Sequence, residues 1–107
     1  MTDDSQIDIR NDQADGKFEA WLGDQLVGVV VYERNGQRYL LTHAAVLPEY
    51  QHHGIGNRLI GGVLQTIRDE GATATIICPS VRTFVDHHPD YADVVDAAYP
   101  GVPSKAV

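Results

Sequence analysis

Val46-Leu47-Pro48-Glu49-Tyr50-Gln51-His52-His53-Gly54-Ile55-Gly56-Asn57 is the stretch on which the reading of this chain turns. It joins a strand to a helix. On its N-terminal side Arg38 to Val46 reads as a strand, ended by Pro48. On its C-terminal side Gly54 to Glu70 reads as a helix. Ile55, Leu59, Val63 and Ile67 recur at helical spacing there, and Ile60 and Leu64 widen the stripe. Gly71 is a suitable stop. A helix start carries unpaired N–H groups and the positive end of the dipole, and both favour an anion. Gly54 and Gly56 remove side chains where a phosphate would approach the backbone. Gln51 to Gly56 therefore read as a phosphate nest. The plainer alternative is that the glycines only allow a tight strand-to-helix turn. No Lys-Ser/Thr pair follows, so a P-loop fits poorly. A dinucleotide fingerprint fits poorly, since Leu59 stands where a third small residue belongs and Cys78 where an acidic one does.

The flanking chain supplies a sheet. Lys17 to Leu22 alternates polar and apolar residues, and Gln25 to Glu33 is valine-rich. Gly23-Asp24 and Asn35-Gly36 signal hairpin turns between these runs. Ile7 to Arg10 can add a short strand. After the helix, Thr73 to Cys78 reads as a strand ended by Pro79. Ser80 caps a short helix through Asp86, and Tyr91 to Val95 forms a last turn. Gly61-Gly62 lies inside the long helix at about 1 kcal/mol per glycine, so it either permits close packing or marks a weak point. Trp21 and Phe84 read as core. The order defines an α+β fold: a mixed sheet of antiparallel meander strands, one more strand after the central helix, and two main helices.

The chain has 107 residues, the size of one domain. We expect a single domain over 1–107, with its core at 7–95 and a loosely held tail at 100–107. The formal net charge is −7, from eight basic and fifteen acidic residues. That disfavours nucleic acid and anionic membranes and suits a cationic acceptor such as an amine. No apolar run is long enough to span a bilayer. The acidic start Met1–Ser5 has no signal-peptide pattern, and the single cysteine, Cys78, suits a reducing compartment, so a cytoplasmic location is expected. The pairs His52-His53 and His87-His88 lack the Cys or carboxylate spacing of a zinc site, and no metal is expected. Nothing in the pattern specifies an oligomeric state.

Gln51-x-x-Gly54-x-Gly56, preceded by Val46-x-Pro48-Glu49-Tyr50, resembles the acetyl-CoA motif of the GNAT acetyltransferase superfamily. His43-x-x-Val46, Cys78-Pro79 and His88-Pro89-Asp90-Tyr91-x-Asp93 extend the resemblance to its small single-domain members, the YidJ-like or NATD-type group, over Phe18 to Val95. The resemblance implies a minimal GNAT fold, in which the strand before the motif and the strand after the helix splay apart. It implies acetyl-CoA as cofactor. The backbone from Gln51 through His52, His53, Gly54, Ile55 and Gly56 to Asn57 would hold the pyrophosphate, and the pantetheine arm would pair near Val46. The implied reaction moves acetyl to a small amine or a protein amine.

Acyl transfer needs a nucleophile, a base and donors for the developing oxyanion. Cys78 is a candidate covalent acetyl carrier, provided a neighbour activates its thiol. Its plainer role is that of a small buried hydrophobe. His43 is the candidate base, or else a hydrogen-bonded core histidine. Members of the group often carry Glu two residues after that histidine, where this chain has Ala45. The rival function is therefore a CoA-binding module or sensor without catalysis. A structural domain with no cofactor is the third alternative.

Overall fold

The computed structural model describes residues 7–51 and 54–103. Its strands are β1 (Asp8–Asp12), β2 (Lys17–Leu22), β3 (Gln25–Asn35), β4 (Arg38–Val46) and β5 (Thr73–Ile76). They form one sheet in the order β1-β2-β3-β4-β5. The first four make an antiparallel meander, and β5 returns parallel to β4. Between them run α1 (Ile55–Asp69) and, after β5, α2 (Pro79–His87). Short 3-10 turns span Pro48–Tyr50 and Pro89–Val94. This is the expected mixed sheet with two main helices. A right-handed crossover through a helix is the usual way to join parallel neighbours, and α1 supplies that helix.

The alternation in β2 buries Phe18, Ala20 and Leu22 on the helix-covered face and leaves Lys17, Glu19 and Trp21 half-buried on the other. All six residues of the α1 stripe are buried against that covered face. Trp21 departs from its expected core position. It lies on the uncovered face, with Arg10 over its ring at 4.7 Å and its Nε1 donating to Glu19 at 3.0 Å. Phe84 is buried as expected.

Several boundaries move for identifiable reasons. The β3–β4 hairpin pairs Asn35 with Arg38, so its loop is Gly36-Gln37 and β3 runs two residues past Glu33. β1 is displaced to Asp8–Asp12, because Asn11 accepts a 2.6 Å bond from the Tyr32 hydroxyl and holds that end down. β5 stops at Ile76, short of Cys78. The N–H groups of Ile77 and Cys78 both donate to the Leu41 carbonyl, at 3.0 and 2.9 Å, so the chain curls off the ladder there. Helix α2 then begins at Pro79 with Cys78 in the cap position, and Ser80 sits inside the first turn instead of capping it. Proline fits that first position because its missing N–H would be unpaired anyway.

Pro100 to Val102 pair along the edge of β5 despite their Pro and Gly content, and the rest of the expected loose tail, 104–107, lies outside the described residues. Ile76 N–H donates to Pro100 O at 3.0 Å, and Val102 N–H donates to Ile76 O at 2.7 Å. Gly101 takes φ +92°, and a Cβ there would overlap the Ile76 backbone. Asp96 anchors the approach by accepting from Thr73 Oγ1 at 2.8 Å and from the N–H groups of Ala98 and Tyr99. These bonds, the one from Thr73 foremost, hold its carboxyl below the usual value. Backbone pairing along the outer edge of β5 thus overrides local composition.

Tyr39 ties the sheet to the end of α1. It is fully buried beside Tyr32 and Phe18, at ring separations of 4.9 and 5.8 Å. Its hydroxyl donates to Glu70 at 2.6 Å and accepts from Arg34 at 2.9 Å. Burial first, then donation to the Glu70 carboxylate, pushes this hydroxyl up to about 12. The unfolded value is near 10, so the folded state holds the proton more tightly. Its stabilising effect is therefore complete below about pH 10 and is lost as pH rises toward 12. We expect unfolding free energy to fall by on the order of 2 kcal/mol across that window from this group. Urea titrations at stepped pH check this. Tyr39→Phe should remove most of the slope, and an unchanged slope would contradict the assignment.

Candidate active site

β4 and β5 pair only from Arg38–Thr73 to Leu41–Ile76. Past that point β4 continues for five residues while the other chain turns into α2. The register with β3 shifts at the same place, leaving Thr42 as an extra residue of β4 between the Tyr32–Leu41 and Val31–His43 pairs. Thr42 Oγ1 donates to Val31 O at 3.2 Å. A bulge bends its strand and increases the local twist. Bulge and departure together open a wedge between the C-terminal half of β4 and the start of α2, which is the splay the resemblance implied.

The first turn of α1 closes the wide end of this wedge. Gly54 is the cap residue, at φ +78°, and a Cβ there would meet nothing within 4 Å. No side chain caps the helix among the described residues. The first ladder bond is Arg58 N–H to Gly54 O at 3.1 Å, so the N–H groups of Ile55, Gly56 and Asn57 precede the ladder. At Gly56 a Cβ would lie 3.7 Å from Val46 Cγ2, in the gap between helix and strand. Gln51 braces the loop by donating its side-chain amide to Val46 O at 3.2 Å. A helix start with glycine at the cap and at its second residue, and no side-chain cap among the described residues, fits a phosphate group.

A cleft of about 420 Å³ fills the wedge. Val46, Gln51, Gly56 and Asn57, four of the candidate cofactor residues, line it. Ala44, Ala45, Leu59, Ile60 and Ser80 line it too, and the sequence reading missed them. Two alanines in succession near the end of β4 were the available signal for empty space. Ile55 is not part of the lining, its side chain being fully buried in the core. His52 and His53 lie outside the described residues.

The two chemical candidates sit apart from this lining. His43 pairs with Val31 and Ala45 with Val29, so both side chains emerge on the uncovered face of the sheet. A Glu in place of Ala45 would have stood next to His43 on that face. Cys78 is 5% exposed at the start of α2, with its N–H held by Leu41. A second, apolar depression of about 290 Å³ lies on the far side of β4, walled by Leu26, Val29, Ala45, Leu47 and Pro48. His88 stacks on Phe84 at 4.0 Å, and Tyr91 is half-buried beside it, 5.8 Å from Phe84. Among the described residues no three His, Cys, Asp or Glu side chains gather as a metal site. No helix of the described residues is long and apolar enough to cross a membrane.

A family model described as GCN5-related N-acetyl-transferase matches residues 17–94. The chain belongs to that family. Its fold is shared with the ribosomal-protein-S18-alanine N-acetyltransferase of Escherichia coli, with a TM-score of 0.57 at 15% identity over 67% of this chain and 50% of that one. An aminoglycoside acetyltransferase from an uncultured soil metagenomic sample, solved with sisomicin, has a TM-score of 0.50 at 20% identity over 85% of this chain and 60% of that one. An acetyltransferase of Bacillus subtilis, solved in complex with CoA, has a TM-score of 0.49 at 29% identity over 56% of this chain and 41% of that one. The chain thus spans less than two thirds of each of these structures. No curated protein matches the sequence.

Proposed function

We propose that the chain binds acetyl-CoA in the wedge and transfers the acetyl group to an amine. One observation carries the reading: the opening between β4 and α2 runs directly into the uncapped start of α1, so one cleft offers an anion site and a strand edge in line. The backbone from Gln51 to Asn57, His52 and His53 included, holds the pyrophosphate, and β4 near Val46 guides the pantetheine arm. When bound, acetyl-CoA supplies the activated thioester. The acceptor amine approaches from the uncovered face, where His43 can take its proton.

Cys78 is the proposed acetyl carrier. Its Sγ would bond to the acyl carbon of a bound acetyl thioester as the bond from that carbon to sulfur breaks, and the Cys78 proton would pass to the released thiol. The amine nitrogen then bonds to the acyl carbon, the Sγ–carbon bond breaks, and His43 relays the amine proton to Sγ. The start of α2 turns its positive end toward this position. We also take residues 1–107 as one domain of the small YidJ-like, NATD-type group, supported by His43-x-x-Val46, Cys78-Pro79 and His88-Pro89-Asp90-Tyr91-x-Asp93. A lone thiol suits a cytoplasmic setting.

Mass spectrometry after incubation with acetyl-CoA tests the carrier. Wild type should gain one acetyl group and Cys78→Ala none. An adduct retained elsewhere in the variant would sink the role of Cys78. Thiol release with a panel of small and peptide amines tests transfer itself. Ala45 beside His43 favours a second reading, a CoA-binding module without turnover. Tight acetyl-CoA binding with no release for any amine would select it.

A further inference from the structure

The uncovered face of the sheet is divided in two. Over β1 and β2 its charges pair with one another, Arg10 with Asp8 at 2.9 Å and Lys17 with Glu19 at 3.5 Å. Over the part of β3 and β4 nearest the cleft it is apolar. Val29 faces Ala45 in the ladder, and Leu26, Leu47 and Pro48 close around them to form the depression of about 290 Å³. Every residue that lines it is apolar or glycine, so no side chain there carries a charge or a hydrogen-bonding group. The backbone N–H of Leu47 is already held by Val27 O at 2.9 Å. The open face of an antiparallel sheet ordinarily carries polar side chains, so an apolar hollow confined to this corner marks a binding surface.

Its position indicates the occupant. Ala45 and Val46 border both the hollow and the cleft. Val46 turns its side chain toward Gly56 at the start of α1, so on the uncovered face only the methyl of Ala45 stands between the two. His43 emerges on that same face one alternation earlier, about 7 Å along the strand. We infer that the hollow seats the apolar body of the acceptor, so that the acceptor class is a primary amine on a compact hydrocarbon chain or ring. Its nitrogen crosses over Ala45 toward the cleft, beside His43. The inference rests on the proposed transfer to an amine and narrows its acceptor. The net charge of −7 draws any cationic amine toward the protein, and the hollow then selects by the other end of the molecule. A second ammonium there would lose its water and gain no partner, so diamines and polyamines are poor acceptors.

Transfer from acetyl-CoA to ethylamine, pentylamine and 1,4-diaminobutane tests it. The last two have equal chain lengths and differ only in a terminal methyl against an ammonium. From ethylamine to pentylamine, kcat/KM should rise about threefold to fourfold per methylene. Pentylamine should exceed 1,4-diaminobutane by about tenfold or more. Leu47 is 36% exposed, so Leu47→Glu can place a carboxylate at the rim in a folded protein. That variant should lose the preference for pentylamine, and Leu47→Met should keep it. Equal kcat/KM for the two amines in wild type would overturn the inference, and so would a preference unchanged in Leu47→Glu. Faster transfer to ethylamine from hexanoyl-CoA than from acetyl-CoA would also overturn it, by giving the hollow to the acyl chain. So would a dimer that Leu47→Glu dissociates with the amine preference intact, which would give the hollow to a second copy. If no amine turns over, pentylamine titrated into ¹⁵N-labelled protein separates the two readings. Amide shifts at Val29, Ala45 and Leu47 would uphold the hollow and remove only the transfer reading, and their absence would overturn the inference as well.

Discussion

Gly56→Ala should weaken CoA binding by about tenfold or more, close to 1.4 kcal/mol, without lowering the stability of the protein. The two effects separate because of where the new methyl goes. It would lie 3.7 Å from Val46 Cγ2, an ordinary contact, so neither helix nor strand must move. Alanine also favours helix over glycine by up to about 1 kcal/mol, so unfolding in urea should be unchanged or slightly harder. The methyl nonetheless occupies the mouth of the cleft, between the uncapped N–H groups and β4. A ligand whose pyrophosphate rests on those N–H groups loses its closest approach. Titration of the variant with CoA, alongside a urea curve, reads both quantities. Unchanged affinity in a folded variant would place the pyrophosphate elsewhere.

Phe18→Ala should cost about 3–5 kcal/mol of stability. Phe18 is 1% exposed at the centre of the covered face, with ring separations of 5.1 Å to Tyr32 and 5.8 Å to Tyr39. Truncation leaves two large rings facing a void that the strands on either side cannot close. A domain of this size has only about 5–15 kcal/mol in total, so the variant should unfold at much lower urea concentration. The single tryptophan, Trp21, lies three residues away on the opposite face of β2 and reports unfolding by fluorescence without sharing the cavity. Phe18→Leu, which keeps most of the volume, should lose less than half as much. A loss below about 1 kcal/mol for Phe18→Ala would mean that the core collapses around the site more readily than its packing indicates.

Periodicity carried most of the fold. The stripe from Ile55 to Ile67 and the alternation in Lys17–Leu22 are local patterns, and each buries the residues it marks. Non-local events escaped it. The end of β5 depends on the Leu41 carbonyl receiving two donors, and the placement of Pro100 to Val102 depends on the edge of β5. Neither partner is near in sequence. Trp21 misled because a large aromatic was read as core by type, whereas its place in the alternation puts it opposite Phe18 and Ala20. The glycines at the helix start were legible as a turn, since Gly54 takes the left-handed cap position there. The cleft walls were not. Ala44 and Ala45 both border the cleft, although Ala44 projects to the covered face and His43 and Ala45 to the uncovered one, and only the bulge at Thr42 and the register with β3 determine that division. The same geometry places four of the candidate cofactor residues, Val46, Gln51, Gly56 and Asn57, along one cleft, with His43 and Cys78 outside its lining.

Backbone amide shifts in a ¹⁵N-labelled sample titrated with CoA test the central claim most directly, because the proposed contacts are N–H groups. The largest shifts should fall on Ile55, Gly56 and Asn57, with smaller ones from Ala44 to Val46, and those amides on the uncovered face at Trp21 and Val31 should stay still. Saturable shifts centred on Leu26 to Val29, or no shifts at the start of α1, would contradict the assignment of this helix start as the pyrophosphate site.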